Sequence, residues 1–116
     1  MTKVDADDRQ FLLTTAWLFA RHGQSSRARA LCEALVDANP KDGVSAAALA
    51  DLLLADGEPQ RALEVILSSS FPSSLTRVEA VLETRALIGV GRGTDARRRW
   101  QRYIESSKGR NRTWVK

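Results

Sequence analysis

The sequence is poor in the residues that carry most protein chemistry. Its 116 residues include one cysteine, Cys32, and one histidine, His22. A lone cysteine excludes an internal disulfide and any cysteine-based metal site within one chain, and nothing then calls for an oxidising compartment. A Cys–His nucleophilic pair would have to be His22 with Cys32, yet Cys32 falls on the packing side of its segment, where a thiol is inert. Asp5, Asp7 and Asp8 have no histidine or cysteine cluster beside them and read as solvated charge, so no metal is expected. No G-x-x-x-x-G-K-[ST] loop is present, and "GVGRG" lacks the lysine and follows a helical rather than a strand pattern. The chain is therefore expected to use no cofactor and to have no catalytic residues. No apolar run approaches the roughly 20 residues of a membrane span, and the acidic start "MTKVDADDRQ" is unlike a secretory signal. A cytoplasmic protein without membrane insertion is the expectation.

What is present suits one globular domain with a modest core: 43% hydrophobic and 28% charged residues. The net charge of +4 hides a polarity along the chain. Residues 1–91 sum to −3 and residues 92–116 to +7, so the basic character belongs to the C-terminal end. Such an end suits an acidic partner or nucleic acid. The run "RRRWQRYIESSKGRNRTW" interleaves arginine with Trp100, Tyr103 and Trp114, the mixture that contacts phosphates and stacks on bases. Trp100 and Tyr103, however, recur at packing positions of an internal repeat. Nucleic acid is therefore not the expected partner, and an RNA-binding helical-repeat module stands as the less favoured alternative.

The repeat is visible as a pair of residues. Gly23 with Ala28, Gly57 with Ala62 and Gly91 with Ala96 keep one spacing, 34 residues from copy to copy. Aligned on the glycines, the repeats are 9–42, 43–76 and 77–110, each with two amphipathic segments separated by a turn. Leu12, Ala16 and Phe19 share one face of the first segment, as do Ala46, Leu49, Ala50 and Leu53 in the second repeat. The glycine is expected to end each first helix in a left-handed conformation. Ser25 or Ser26, Glu58 with Pro59, and Thr94 then start the second helices. The recurrent alanine permits close approach one turn later, and Asn39-Pro40 ends the first repeat. This period and pattern resemble tetratricopeptide repeats. The expected fold is all-α: three tetratricopeptide-like hairpins in a short right-handed solenoid, with a flexible start at 1–8 and a basic tail at 111–116. Repeats two and three lack the terminal proline, and "SSSFPSSL" reads as a loose junction. Only "KGRNRTWVK" remains to cover the last apolar face, so a partner or second copy is expected there.

The resemblance carries a groove with it. Matching the family's groove positions to this chain yields Leu13, Trp17, Ala20 and Arg21; Val44, Ala47, Asp51 and Leu54; and Val78, Val81, Arg85 and Ile88. This mostly apolar set suits an apolar or amphipathic helix or an extended segment, with Arg21, Asp51 and Arg85 placed to orient a polar end. A basic surface of Arg97, Arg98 and Arg102 lies on the last helix.

Particular residues go further. "FLLTTAWLFARHGQSSRARALCEALVDANP" resembles the first repeat of the YscY class of bacterial type III secretion chaperones, through Phe11, Leu12, Leu13, Trp17, Leu18, Gly23, Arg27, Ala28, Leu31, Ala34, Leu35, Asn39 and Pro40. "ETRALIGVGRGTDARRRWQRYIES" is similar to that class's last hairpin through Arg85, Ala86, Gly91, Asp95, Ala96, Arg97, Tyr103 and Glu105. The resemblance implies a cytoplasmic bacterial chaperone that binds a small secreted export component, the YscX-like partner, and with it engages the export-gate protein of the apparatus. It implies no catalysis. The related chaperone of the needle subunit is the alternative cargo reading, and a homodimer without cargo is also compatible with it.

Overall fold

A computed structural model of the protein describes residues 6–111. Among them are six α-helices: α1 (Ala6–Arg21), α2 (Ser25–Ala38), α3 (Gly43–Ala55), α4 (Pro59–Ser68), α5 (Thr76–Gly89) and α6 (Gly93–Asn111). A 3₁₀ turn, Ser73–Leu75, precedes α5. The helices pack as sequential antiparallel pairs, α1/α2, α3/α4 and α5/α6, each joined to the next through α2 on α3 and α4 on α5. The all-α class is as expected. α1 begins at Ala6, within the stretch expected as the start, so Asp7 and Asp8 lie in its first turn, where their charge is favourable at the positive end of its dipole. Asp5, Trp114 and the tail beyond Asn111 fall outside the described residues.

The 34-residue signal has a direct structural cause. Gly23, Gly57 and Gly91 have φ of +76°, +76° and +83°, the left-handed region that side-chain-bearing residues avoid. Each lets the chain fold back on the helix it ends. The Gln24 amide donates to the Phe19 carbonyl at 2.8 Å, the Glu58 amide to Leu53 at 2.9 Å, and the Arg92 amide to Leu87 at 2.8 Å. These six-to-one bonds satisfy carbonyls that a helix end leaves open. Five residues beyond each glycine, Ala28, Ala62 and Ala96 are 0%, 0% and 2% exposed. A larger side chain there would separate the paired helices.

The second helices start as expected at Ser25 and at Pro59 after Glu58, and only α6 departs, by one residue. Gln24 and Glu58 cap α2 and α4 without side-chain hydrogen bonds, Pro59 stands at the start of α4, and α6 starts at Gly93, one residue before Thr94. The strong cap lies elsewhere, at Asp42, which accepts from the Val44 and Ser45 amides at 3.1 and 3.4 Å and from Ser45 Oγ at 2.7 Å. The Ser-rich junction includes a 3₁₀ turn at Ser73–Leu75. It returns to the start of α3, where Ser70 bridges Asp42 and its amide donates to the Lys41 carbonyl at 3.4 Å. Gly43 makes that return possible: a Cβ on it would stand 2.5 Å from the Ser70 carbonyl and 2.6 Å from Phe71 Cα.

Candidate functional site

The first helices of the three pairs share a face, and the 34-residue repeat arranges its residues in rows. One row is Leu13, Ala47 and Val81; another is Gln10, Val44 and Val78; a third is Trp17, Asp51 and Arg85. Two clefts open along this face. The first, about 500 Å³, separates α1 from α3 and is lined by Leu13, Ala16, Trp17, Ala20, Val44, Ala48 and Leu52, with Cys32 of α2 also in its lining. The second, about 420 Å³, lies between α3 and α5 and is lined by Ala47, Val78, Val81 and Leu82, with Arg77 and Arg85. Ala48 and Asp51 line both, so the two clefts adjoin. Small residues on α3 leave the depth, and the larger side chains of α1 and α5 supply the walls.

Of the residues expected to form the groove, Leu13, Trp17, Ala20, Val44 and Asp51 line the first cleft and Ala47, Asp51, Val78, Val81 and Arg85 the second. Arg21, Leu54 and Ile88 line neither. Leu54 is half-buried against the core, while Ile88 is 61% exposed. Trp17 is 57% exposed, and the Arg21 guanidinium lies 4.9 Å from its ring centre, an exposed cation–π pair that braces the indole. Asp51 and Arg85 bond to each other at 3.2 Å across the second cleft, so these two charges are mutually satisfied at the surface. The Arg9 guanidinium reaches from α1 to the Asp42 cap at 3.1 Å, tying the first helix to the start of α3.

Away from this face, α2 is joined to the α3/α4 pair by charge. Arg29 donates to Glu33 at 2.9 Å, to Asp56 at 3.4 Å, and to Glu58, while Arg61 pairs with Glu33 at 3.1 Å. The Arg29 guanidinium holds the Glu58 carboxyl below its usual range, and Glu58 and Glu33 raise Arg29 in turn. Of the expected basic surface, Arg98 and Arg102 line a third cleft, between α4 and α6; Arg97 is exposed but does not line it. Trp100 and Tyr103 are half-buried, with ring centres 5.2 Å apart, whereas Cys32 and Leu35 at the same positions of the first repeat are 1% and 3% exposed. Among the described residues no hairpin follows α6 to bury them.

Burial pushes the Cys32 thiol up to about 11, which makes it a poor nucleophile, and His22 lies exposed at the end of α1. Among the described residues no group of three or more His, Cys, Asp or Glu side chains is placed to hold a metal ion, and no helix is long and apolar enough to cross a membrane. What the arrangement offers is an apolar, indole-walled surface for binding. Comparison of the chain with protein-family models and with curated proteins finds no match to either.

Proposed function

We propose that the chain is a small protein-binding chaperone built of three tetratricopeptide-type hairpins, whose α1–α3–α5 face holds an amphipathic helix or extended segment of a partner. In this reading the partner is a small secreted component of bacterial type III export, as the resemblance to the YscY class implies, and the pair is presented to the export gate. The observation that carries the binding role is the continuity of two apolar clefts across three successive pairs, with Trp17 more than half exposed in the wall of the first. An exposed indole beside an apolar trough is the usual form of an interface anchor, and covering it yields roughly 25 cal/mol per Å² of apolar area. The left-handed glycines at a 34-residue period, the buried alanines that follow them and the principal extents of 47 × 35 × 28 Å support a short stack of hairpins.

Affinity purification from the native cell, with mass spectrometry of the co-purifying chains and light scattering of the complex, tests the reading. A small secretion protein in a defined complex is the expected result, and its identity decides between an export component and the needle subunit. The double variant Trp17→Ala, Val78→Asp alters two exposed side chains, so it should keep the circular dichroism and melting profile of the parent while losing the partner. Retention of the partner by that folded variant would refute the groove, and recovery of RNA or an unrelated enzyme would remove the secretion assignment.

A further inference from the structure

The two junctions between second helices occupy equivalent repeat positions and are built differently. At the α2–α4 junction, Arg29, Glu33, Glu58 and Arg61 form the ion-pair network described above. Thirty-four residues on, the same positions hold Leu63, Leu67, Arg92 and Asp95. The charge pair on the side of the earlier helix has become two leucines, and a cleft of about 400 Å³ opens between α4 and α6. Leu63, Leu67 and Leu87 are its apolar lining. Leu67 is 64% exposed where its counterpart Glu33 is engaged by two arginines.

Charge around the cleft is not balanced internally. Its two carboxylates are taken: Glu83 by Arg99 at 2.6 Å and Asp95 by Arg92 at 2.8 Å. Arg98 reaches only 3.9 Å from Asp95 and its side chain is 76% exposed, and Arg102 has no charge partner among the described residues. An exposed leucine flanked by two available guanidinium groups is complementary to a surface with the inverse pattern. We infer that the α4–α6 cleft is a second docking site, separate from the α1–α3–α5 face, and that its occupant is an acidic amphipathic helix of a protein partner. Leucine-type side chains of that helix cover Leu67 above the buried floor of Leu63 and Leu87, and its flanking carboxylates pair with Arg98 and Arg102, in the helix-in-groove mode. Nucleic acid fits less well, because no aromatic ring lines the cleft for a base to stack on and two carboxylates face it. The inference does not rest on the secretion reading.

The test uses the full chain and a synthetic helical peptide bearing leucines at i, i+3 and i+7 with glutamates on both sides, read by fluorescence anisotropy. Binding that weakens with salt is expected, together with none by the same peptide carrying lysine for glutamate or serine for leucine. Leu67→Glu, which supplies the carboxylate that the first junction has, should weaken binding by on the order of tenfold or more, as should Arg98→Glu with Arg102→Glu. Both sites are exposed, so the melting temperature should stay close to that of the parent. Trp17→Ala should leave this binding unchanged, which separates it from the groove. Failure of the parent chain to bind the acidic peptide, equal binding by Leu67→Glu, or preference for single-stranded RNA would each overturn the inference.

Discussion

Two glycines separate two reasons for the same residue. At Gly57 nothing lies within 4 Å of where a Cβ would stand, so only its φ of +76° opposes a side chain. Gly57→Ala should therefore destabilise by roughly 1–2 kcal/mol, the cost of the left-handed conformation. Gly43 carries no such φ and begins a helix, where propensity alone would favour alanine by about 1 kcal/mol or less. Its Cβ would meet backbone at 2.5 and 2.6 Å, and displacing a packed chain costs roughly 1–3 kcal/mol. Gly43→Ala should thus destabilise despite the better helix former, by moving Ser70 and Phe71 away from Asp42. Urea denaturation of both variants checks this; a Gly43→Ala protein more stable than its parent would mean that the return loop simply yields. The distinction also marks what was legible in the sequence. Gly57 is announced by its recurrence at Gly23 and Gly91, whereas Gly43 answers to a segment 27 residues away that no local pattern reveals.

At the scale of elements, the caps divide in the same manner. The turns after α1, α3 and α5 were readable because backbone geometry repeats, but the side-chain cap of α3 sits at a position where the other repeats have Asp8 and Thr76, both already inside a helix. Burial alone would raise the Asp42 carboxyl, yet the Ser45 hydroxyl, the Ser45 and Val44 amides and the Arg9 guanidinium hold it below its ordinary range. A carboxyl depressed in the folded state contributes stability that is complete above the unfolded value of about 3.9 and is lost as pH falls through the folded one. The parent should therefore lose unfolding free energy between about pH 5 and pH 2 more steeply than Asp42→Asn, which has no charge to lose there. The two curves should converge in acid and separate towards neutrality. At neutral pH, Asp42→Ala should cost roughly 1–2 kcal/mol, the usual loss of a helix cap. Parallel pH profiles for parent and Asp42→Asn would show that Asp42 contributes nothing through its charge. The α4–α6 cleft was hidden for a related reason. Leu63 and Leu67 look like ordinary helix positions until they are set against Arg29 and Glu33 one repeat earlier, and only the packed helices show that this exchange leaves an opening.

The whole molecule is unevenly joined. α3 packs directly along α5, but between α1 and α3 the first cleft intervenes, and α1 is held mainly against α2, with the Arg9–Asp42 pair added. The first hairpin joins the common buried core through Ala16, Ala28 and Cys32, as the second and third do through Leu63, Ile66, Leu82 and Leu87, but the first is further tied to its neighbour by the partly exposed network around Arg29. Hydrophobic burial is insensitive to added salt in the way that exposed ion pairs are not, since the screening length falls to about 3 Å at 1 M. Opening of the first hairpin should therefore require less free energy than opening of α3 to α5. In hydrogen exchange, amides of α1 between Leu12 and Ala20 should exchange ahead of those in α3 and α5, and raising salt from 0.05 to 1 M should lessen protection in α1 and α2 more than elsewhere. If a partner helix fills the clefts as proposed, it bridges α1 to α3, so it should protect α1 most of all and slow alkylation of Cys32, which lines the same cleft. Uniform exchange across the three hairpins, unaltered by salt, would mean that the chain opens as one unit. The binding face would then be fully formed before any partner arrives.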